Sequence, residues 1–142
     1  MDMAINAAES ASEAGEVPVG AVITLSGEII AVAANAMRKN SDATAHAEMA
    51  VIGMAMKKLG SERLENCDLY VTLEPCTMCA GAISHARIRR LYFAAPDIKA
   101  GAVENGVRFF EQASCHHRPE VIAGIGEEKS RALLNEFFAS RR

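Results

Sequence analysis

The amino-acid sequence predicts an α/β fold: a mixed sheet with helices on both faces. Three observations carry this. Val17–Leu25 and Glu28–Ala34 are apolar, β-branched runs on either side of a Ser26-Gly27 turn, and read as a hairpin. Two more such runs, Asp68–Leu73 and Ile88–Ala94, are separated by a helix-length segment. A last short run, Glu120–Ala123, precedes a segment with one apolar helical face. The order is α-β-β-α-β-α-β-loop-β-α, and 142 residues suffice for one domain, 1–142, with no repeat or linker.

The first helix spans Asp2–Ala14, with Ile5, Ala8 and Ala11 at helical spacing and Gly15 as its stop. Val17–Leu25 is apolar throughout, as a strand buried on both faces would be. The polar stretch Arg38–Asp42 reads as a loop. Thr44 is the expected N-cap of the next helix, which ends at Lys57-Lys58 and Gly60. A capping box would place Glu or Gln at position 47, but Ala47 stands there, so Glu48 is not explained as a cap partner. Pro75 opens a helix holding Cys76, Cys79, Ala80, Ala82 and Ile83; its missing N–H costs nothing there. Residues 96–118 are mostly loop, broken by Gly101 and Gly106, with a short helical or packed piece at Val107-Phe109-Phe110. In Glu127–Ser140, Leu133, Leu134, Phe137 and Phe138 form the apolar face.

Half the residues are hydrophobic and Trp is absent, so aliphatic and Met side chains must fill the core. Met49, Met54, Met56 and Met78 are at packing positions, and Cys67 is a small buried hydrophobe. The net charge of −3 gives no global signal for nucleic acid. Local clusters do exist: Arg87, Arg89 and Arg90, and toward the C-terminus Arg131, Arg141 and Arg142. The N-terminus has neither the basic nor the apolar region of a signal peptide, and no apolar run is long enough to span a membrane. The expected location is the cytoplasm, where the four cysteines read as metal ligands or free thiols before disulfides.

The chemistry lies in His46-Ala47-Glu48 and Pro75-Cys76-Thr77-Met78-Cys79. Cys76 and Cys79, one turn apart at a helix start, face the same side, and both a helix N-terminus and a metal favour thiolate. A C-x-x-C after a strand also fits a redox pair, and a lone His near Glu is usually a surface pair. Together, His46, Cys76 and Cys79 supply three metal ligands, whereas a structural zinc takes four and a catalytic zinc keeps a position open for water. Glu48 is then the proton shuttle, and H-A-E with P-C-x-x-C is the zinc nucleobase-deaminase signature. His46 and Glu48 serve one centre only if the metal lies at the tip of their helix. Cys115-His116-His117 lacks further ligands nearby and reads as loop before metal.

Beyond these motifs, Glu16–Val22, Thr44–Glu48, Tyr70–Ala82, Asp97–Ala102 and the Phe137-Phe138 ending resemble the bacterial tRNA-specific adenosine deaminases of the cytidine deaminase-like superfamily. The resemblance covers nearly the whole chain. It implies a three-layer α/β/α sandwich with a central mixed five-stranded sheet, one Zn2+ per chain and a homodimer. The implied reaction turns the wobble adenosine of an arginine tRNA anticodon into inosine. Asn35 matches the position that hydrogen-bonds the flipped base, and the backbone around Ala47 and Pro75 the pocket lining. Asp97 and Lys99 match a segment near the anticodon loop, and His116 stands where several members have Asn. Arg141 and Arg142, with Lys99, Arg118 and the Arg87–Arg90 cluster, are candidate phosphate contacts. Two rival readings remain: a deaminase of a free base or nucleoside of guanine or cytosine type, and a silent zinc-containing RNA-binding subunit. The second leaves the Glu48 carboxylate without a purpose.

Overall fold

The computed structural model describes residues 1–141; Arg142, one of the expected substrate contacts, lies outside the described residues. The elements are α1 (Asp2–Glu13), β1 (Gly20–Leu25), β2 (Glu28–Ala34), α2 (Met37–Asn40), α3 (Ala47–Leu59), β3 (Cys67–Leu73), α4 (Thr77–His85), β4 (Arg90–Ala95), a 3₁₀ turn (Phe109–Glu111), β5 (Glu120–Ala123) and α5 (Glu127–Ala139). The five strands lie in the order β2-β1-β3-β4-β5. β1 is antiparallel to both β2 and β3, while β3, β4 and β5 are parallel. α1 and α5 pack together on one face of this mixed sheet, and α3 and α4 on the other. The layers form the expected α/β/α sandwich around a mixed five-stranded sheet.

Period-two alternation feeds both layers. Leu69 and Val71 of β3, with Leu91 and Phe93 of β4, join Val51, Ile52, Ala80 and Ile83 in the core beneath α3 and α4. Thr72 points the other way and is fully buried. Its hydroxyl accepts the Gly20 N–H at 3.1 Å, and its carbonyl accepts a hydrogen bond from Ser130 of α5. α1 lies so close to β1 that a Cβ at Gly20 would meet the Ala4 carbonyl at 2.0 Å and the Ala8 nitrogen at 2.7 Å. Gly20→Ala is therefore expected to cost about 3 kcal/mol or more, the upper range for overpacking, because backbone cannot yield as a side chain does. Chemical denaturation of the two proteins measures it.

Several local expectations are corrected. β1 begins at Gly20, not Val17, since Pro18 has no N–H for the ladder and Val19 instead donates to the Val17 carbonyl at 2.8 Å. Met37–Asn40 is a short helix where a loop was expected; buried Glu16 accepts the N–H groups of Arg38 (3.0 Å) and Lys39 (2.8 Å), a cap from a distant part of the chain. Thr44 does not cap α3: its N–H and hydroxyl both donate to Asp42 Oδ1, at 2.8 and 2.7 Å. Cys76 precedes α4 as its N-cap, so Pro75 stands two residues before the first helical residue, Thr77. Met54 is 47% exposed and fills no core space.

Candidate active site

The N-cap residue of α3 is His46, and that of α4 is Cys76. Neither makes a side-chain cap bond, so both side chains are directed elsewhere. Glu48 and Cys79 sit in the first turns of the same two helices, and both are buried. The two helix tips meet. His46 Nδ1 lies 3.6 Å from Cys76 Sγ and 3.4 Å from Cys79 Sγ, and the three ligand atoms fall within 4.8 Å of one another. Zinc bonds of about 2.3 Å to sulfur and about 2.0 Å to nitrogen, at a tetrahedral angle, put N and S ~3.5 Å apart. The observed spacing fits a zinc ion, and among the described residues no fourth His, Cys, Asp or Glu joins the group.

The charges agree. Cys76 is held down to about 5, first by the hydrogen bond from Cys79, which outweighs burial, and then by the Cys79 N–H and the His46 charge. Cys79 is driven up, first by sharing its proton with Cys76 and then by burial and Glu48. Two thiolates this close need a cation between them, and a metal supplies it. Burial pushes the Glu48 carboxyl up as well, against its own backbone N–H, the Cys79 thiol and the His46 charge.

Above this cluster is a cavity of about 170 Å³ lined by Val17, Val19, Asn35, Met37, His46, Ala47, Glu48, Leu73, Glu74, Cys76, Asp97 and Ala100. Asn35 is held by its backbone N–H to the Val19 carbonyl (2.9 Å) and by Nδ2 to the Val17 carbonyl (3.5 Å). Only the NH₂ end of an amide can serve that carbonyl, so the oxygen is the other end. Asn35 Oδ1 is buried with no hydrogen-bond partner, a deficit that a ligand donor would relieve.

The other sequence candidates divide. Ala47 and Asp97 line the cavity. Pro75 is fully buried, and its carbonyl accepts the Ala102 N–H at 2.9 Å. Lys99 is exposed next to the wall, its N–H held by Asp97 Oδ1. The Arg141 guanidinium stacks 3.7 Å from the Phe137 ring centre and donates to Ser140 Oγ at 3.1 Å. It flanks Gly15 along with Arg38, next to the segment leading into Val17. The Arg87–Arg90 cluster does not join them. Arg89 pairs bidentately with Asp68, and Arg90 donates through Nε alone to Glu120, at the start of β4. The cavity lies near the other end of the same ladder, at Leu73. Cys67 is core, as expected. Cys115 and His117 are structural: the Cys115 thiol donates to the His117 carbonyl, and His117 Nε2 to the Ile88 carbonyl.

Glu16 and Glu74 were missed. Both are buried carboxylates that accept backbone N–H groups and hold the cavity's walls, Glu16 on the Met37 side and Glu74 on the Asp97 side. Burial pushes the Glu74 carboxyl up, but the Asn105 amide and the surrounding N–H groups outweigh it and hold it below the ordinary glutamate value. The one signal in the sequence was a charge placed inside the apolar run Tyr70–Cys76.

Residues 1–95 match the cytidine and deoxycytidylate deaminase zinc-binding region. The chain is 58% identical to the tRNA-specific adenosine deaminase of Agrobacterium fabrum, over 100% of this chain and 93% of that protein. It is 44% identical to the protein of the same name from Bacillus subtilis, over 100% of this chain and 88% of that one. A solved structure from a study of A-to-I editing by tRNA:A34 deaminases at the wobble position superposes with a TM-score of 0.93 at 59% identity, covering 94% of this chain and 97% of that one. A guanine deaminase from Nitrosomonas europaea shares the fold, with a TM-score of 0.84 at 24% identity over 97% of this chain and 82% of that one.

Proposed function

Because the chain belongs to the zinc-binding cytidine and deoxycytidylate deaminase family, and within it to the tRNA-specific adenosine deaminases, we propose that it hydrolyses the wobble adenosine of a tRNA anticodon to inosine. One observation carries the chemistry: His46 Nδ1, Cys76 Sγ and Cys79 Sγ converge on one point with Glu48 beside them in a cavity. In this reading 1–142 acts as one deaminase domain, and His46, Cys76 and Cys79 hold the zinc. The bound metal supplies a water molecule whose pKa falls from about 15.7 to about 7.

The protein's own groups do the rest. Glu48 carries one proton of the attacking water to the ring nitrogen beside the reacting carbon, and then a second, from the hydroxyl now on that carbon, to the departing amine. Water adds, the C–N bond breaks and ammonia leaves. A carboxyl whose basicity is raised by burial suits that traffic, because proton transfer is most efficient when the shuttle's pKa is near the working pH. Asn35 Oδ1 accepts a hydrogen bond from the flipped nucleotide, and the Ala47 backbone and Asp97 border the base, while Pro75 lies buried behind the lining. An unpaired loop releases that base at low cost. The reading extends to an arginine tRNA, to the cytoplasm and to a homodimer.

The test is inosine formation in an anticodon stem-loop, compared with free adenosine, cytidine and guanine. The expected result is turnover of the RNA alone; rapid turnover of guanine or cytosine with an inert stem-loop would move the chain to the free-base deaminases. Binding provides a second prediction. With a net charge of −3, attraction must come from local cations such as Lys99, Arg141 and Arg142. Each neutralised single-strand phosphate contributes a slope of roughly 0.7 in log affinity against log salt. Arg141→Ala is expected to weaken stem-loop binding and reduce that slope by about 0.7. Titrations at several salt concentrations read both quantities.

A further inference from the structure

We infer that Glu74 is a positioning residue that holds residues 97–105 in place as the RNA-facing wall of the cavity, an inference that rests on the tRNA reading above. Glu74 is 2% exposed, yet its carboxylate accepts five hydrogen bonds. Oε1 receives the Asp97 N–H at 3.1 Å and Asn105 Nδ2 at 2.7 Å. Oε2 receives the N–H groups of Val103, Glu104 and Asn105, each at 3.1 Å. All five donors lie in one loop; none of them belongs to His46, Cys76 or Cys79.

The loop is built around this carboxylate. A Cβ at Gly101 would come within 2.5 Å of both Glu74 Cδ and Oε2, and within 2.3 Å of the Asp97 carbonyl, so only glycine fits there. Asp97 Oδ1 then accepts the N–H groups of Lys99 and Ala100, both at 3.0 Å, which folds the outer turn. As a result Asp97 and Ala100 face the cavity, while Ile98 (83% exposed) and Lys99 project outward beside it. Although Glu74 borders the cavity, both of its carboxylate oxygens are taken up by the loop, so it acts through this wall. The wall faces the part of a polymeric substrate that lies beyond the base. Its displacement therefore weakens RNA capture, while the zinc ligands and Glu48, anchored on the tips of α3 and α4, stay in place.

Glu74→Gln tests this, because whichever way the amide turns, at least two of the five donors lose their acceptor. Asn105→Ala removes one bond at the loop end and serves if the first variant fails to fold. Amide exchange at Asp97, Val103, Glu104 and Asn105, zinc content, and KM and kcat on the stem-loop are measured for both variants and the wild type. The expectation for Glu74→Gln is exchange at least ~10-fold faster at those amides, zinc unchanged, and KM raised ~10- to 100-fold, the scale of one lost charge-assisted contact, with kcat within about threefold. Asn105→Ala moves in the same direction by less. Unchanged exchange and KM overturn the inference; so does loss of zinc and kcat at constant KM, which would make Glu74 a support of the metal site. A wild type inert on RNA sinks the tRNA reading, and the exchange rates alone then decide for or against Glu74 as the loop's anchor.

Discussion

Glu48→Ala is expected to yield a folded, zinc-loaded protein whose turnover falls at least ~100- to 10,000-fold, the usual contribution of a positioned acid–base group. Glu48 stands in the first turn of α3, 4% exposed, and is not one of the three converging ligand atoms. Its removal leaves the zinc cluster intact and opens space only toward an existing cavity. Stability should not suffer. Burial raises this carboxyl's pKa above its unfolded value, so any stability it confers is present below the ordinary carboxylate range and is lost as pH rises through the folded value. The penalty grows as pH rises, so Glu48→Gln is expected to gain melting temperature relative to the wild type with increasing pH. Near-normal turnover in either variant would remove Glu48 from the mechanism.

Cys76→Ser is expected to lose zinc, activity and stability together. Metal binding to a site formed only by folding is itself folding free energy. At a thousandfold excess of zinc over its Kd it contributes about 4 kcal/mol, on the order of 10–20 °C in Tm for a domain of this size. Cys76 is also the residue from which α4 starts, so its loss loosens the helix tip carrying Cys79. Cys67→Ser is the control. Cys67 is 1% exposed at the start of β3 and has no part in the cluster, so that variant should keep its zinc. A full zinc complement in Cys76→Ser would show the ligand assignment to be wrong.

The convergence of His46, Cys76 and Cys79 was legible because ligation restricts residue types at fixed spacings, and a C-x-x-C at a helix start can face only one way. Five strands and the long helices were legible because burial imposes periods of two and 3.6. What escaped had no local period. Glu16 caps α2 across 22 residues of chain, and Glu74 reaches a loop 23 to 31 residues away; such contacts leave no periodic pattern, and the charge inside the run Tyr70–Cys76 marks Glu74 as unusual without naming its partners. The Arg89 and Arg90 charges looked available until the sheet brought Asp68 and Glu120 alongside them. Thr44 has the composition of a cap, but the metal cluster requires His46 itself at the helix tip, and Asp42 takes the Thr44 hydroxyl instead.

X-ray absorption at the zinc edge of the purified protein tests the central claim most directly, because it counts the atoms around the metal. The account predicts one zinc per chain with two sulfur neighbours at about 2.3 Å and the remainder nitrogen and oxygen at about 2.0 Å, one of them exchangeable water. Three or four sulfur neighbours would mean that Cys67 or Cys115 joins the shell and closes it, and a closed shell would contradict a catalytic zinc.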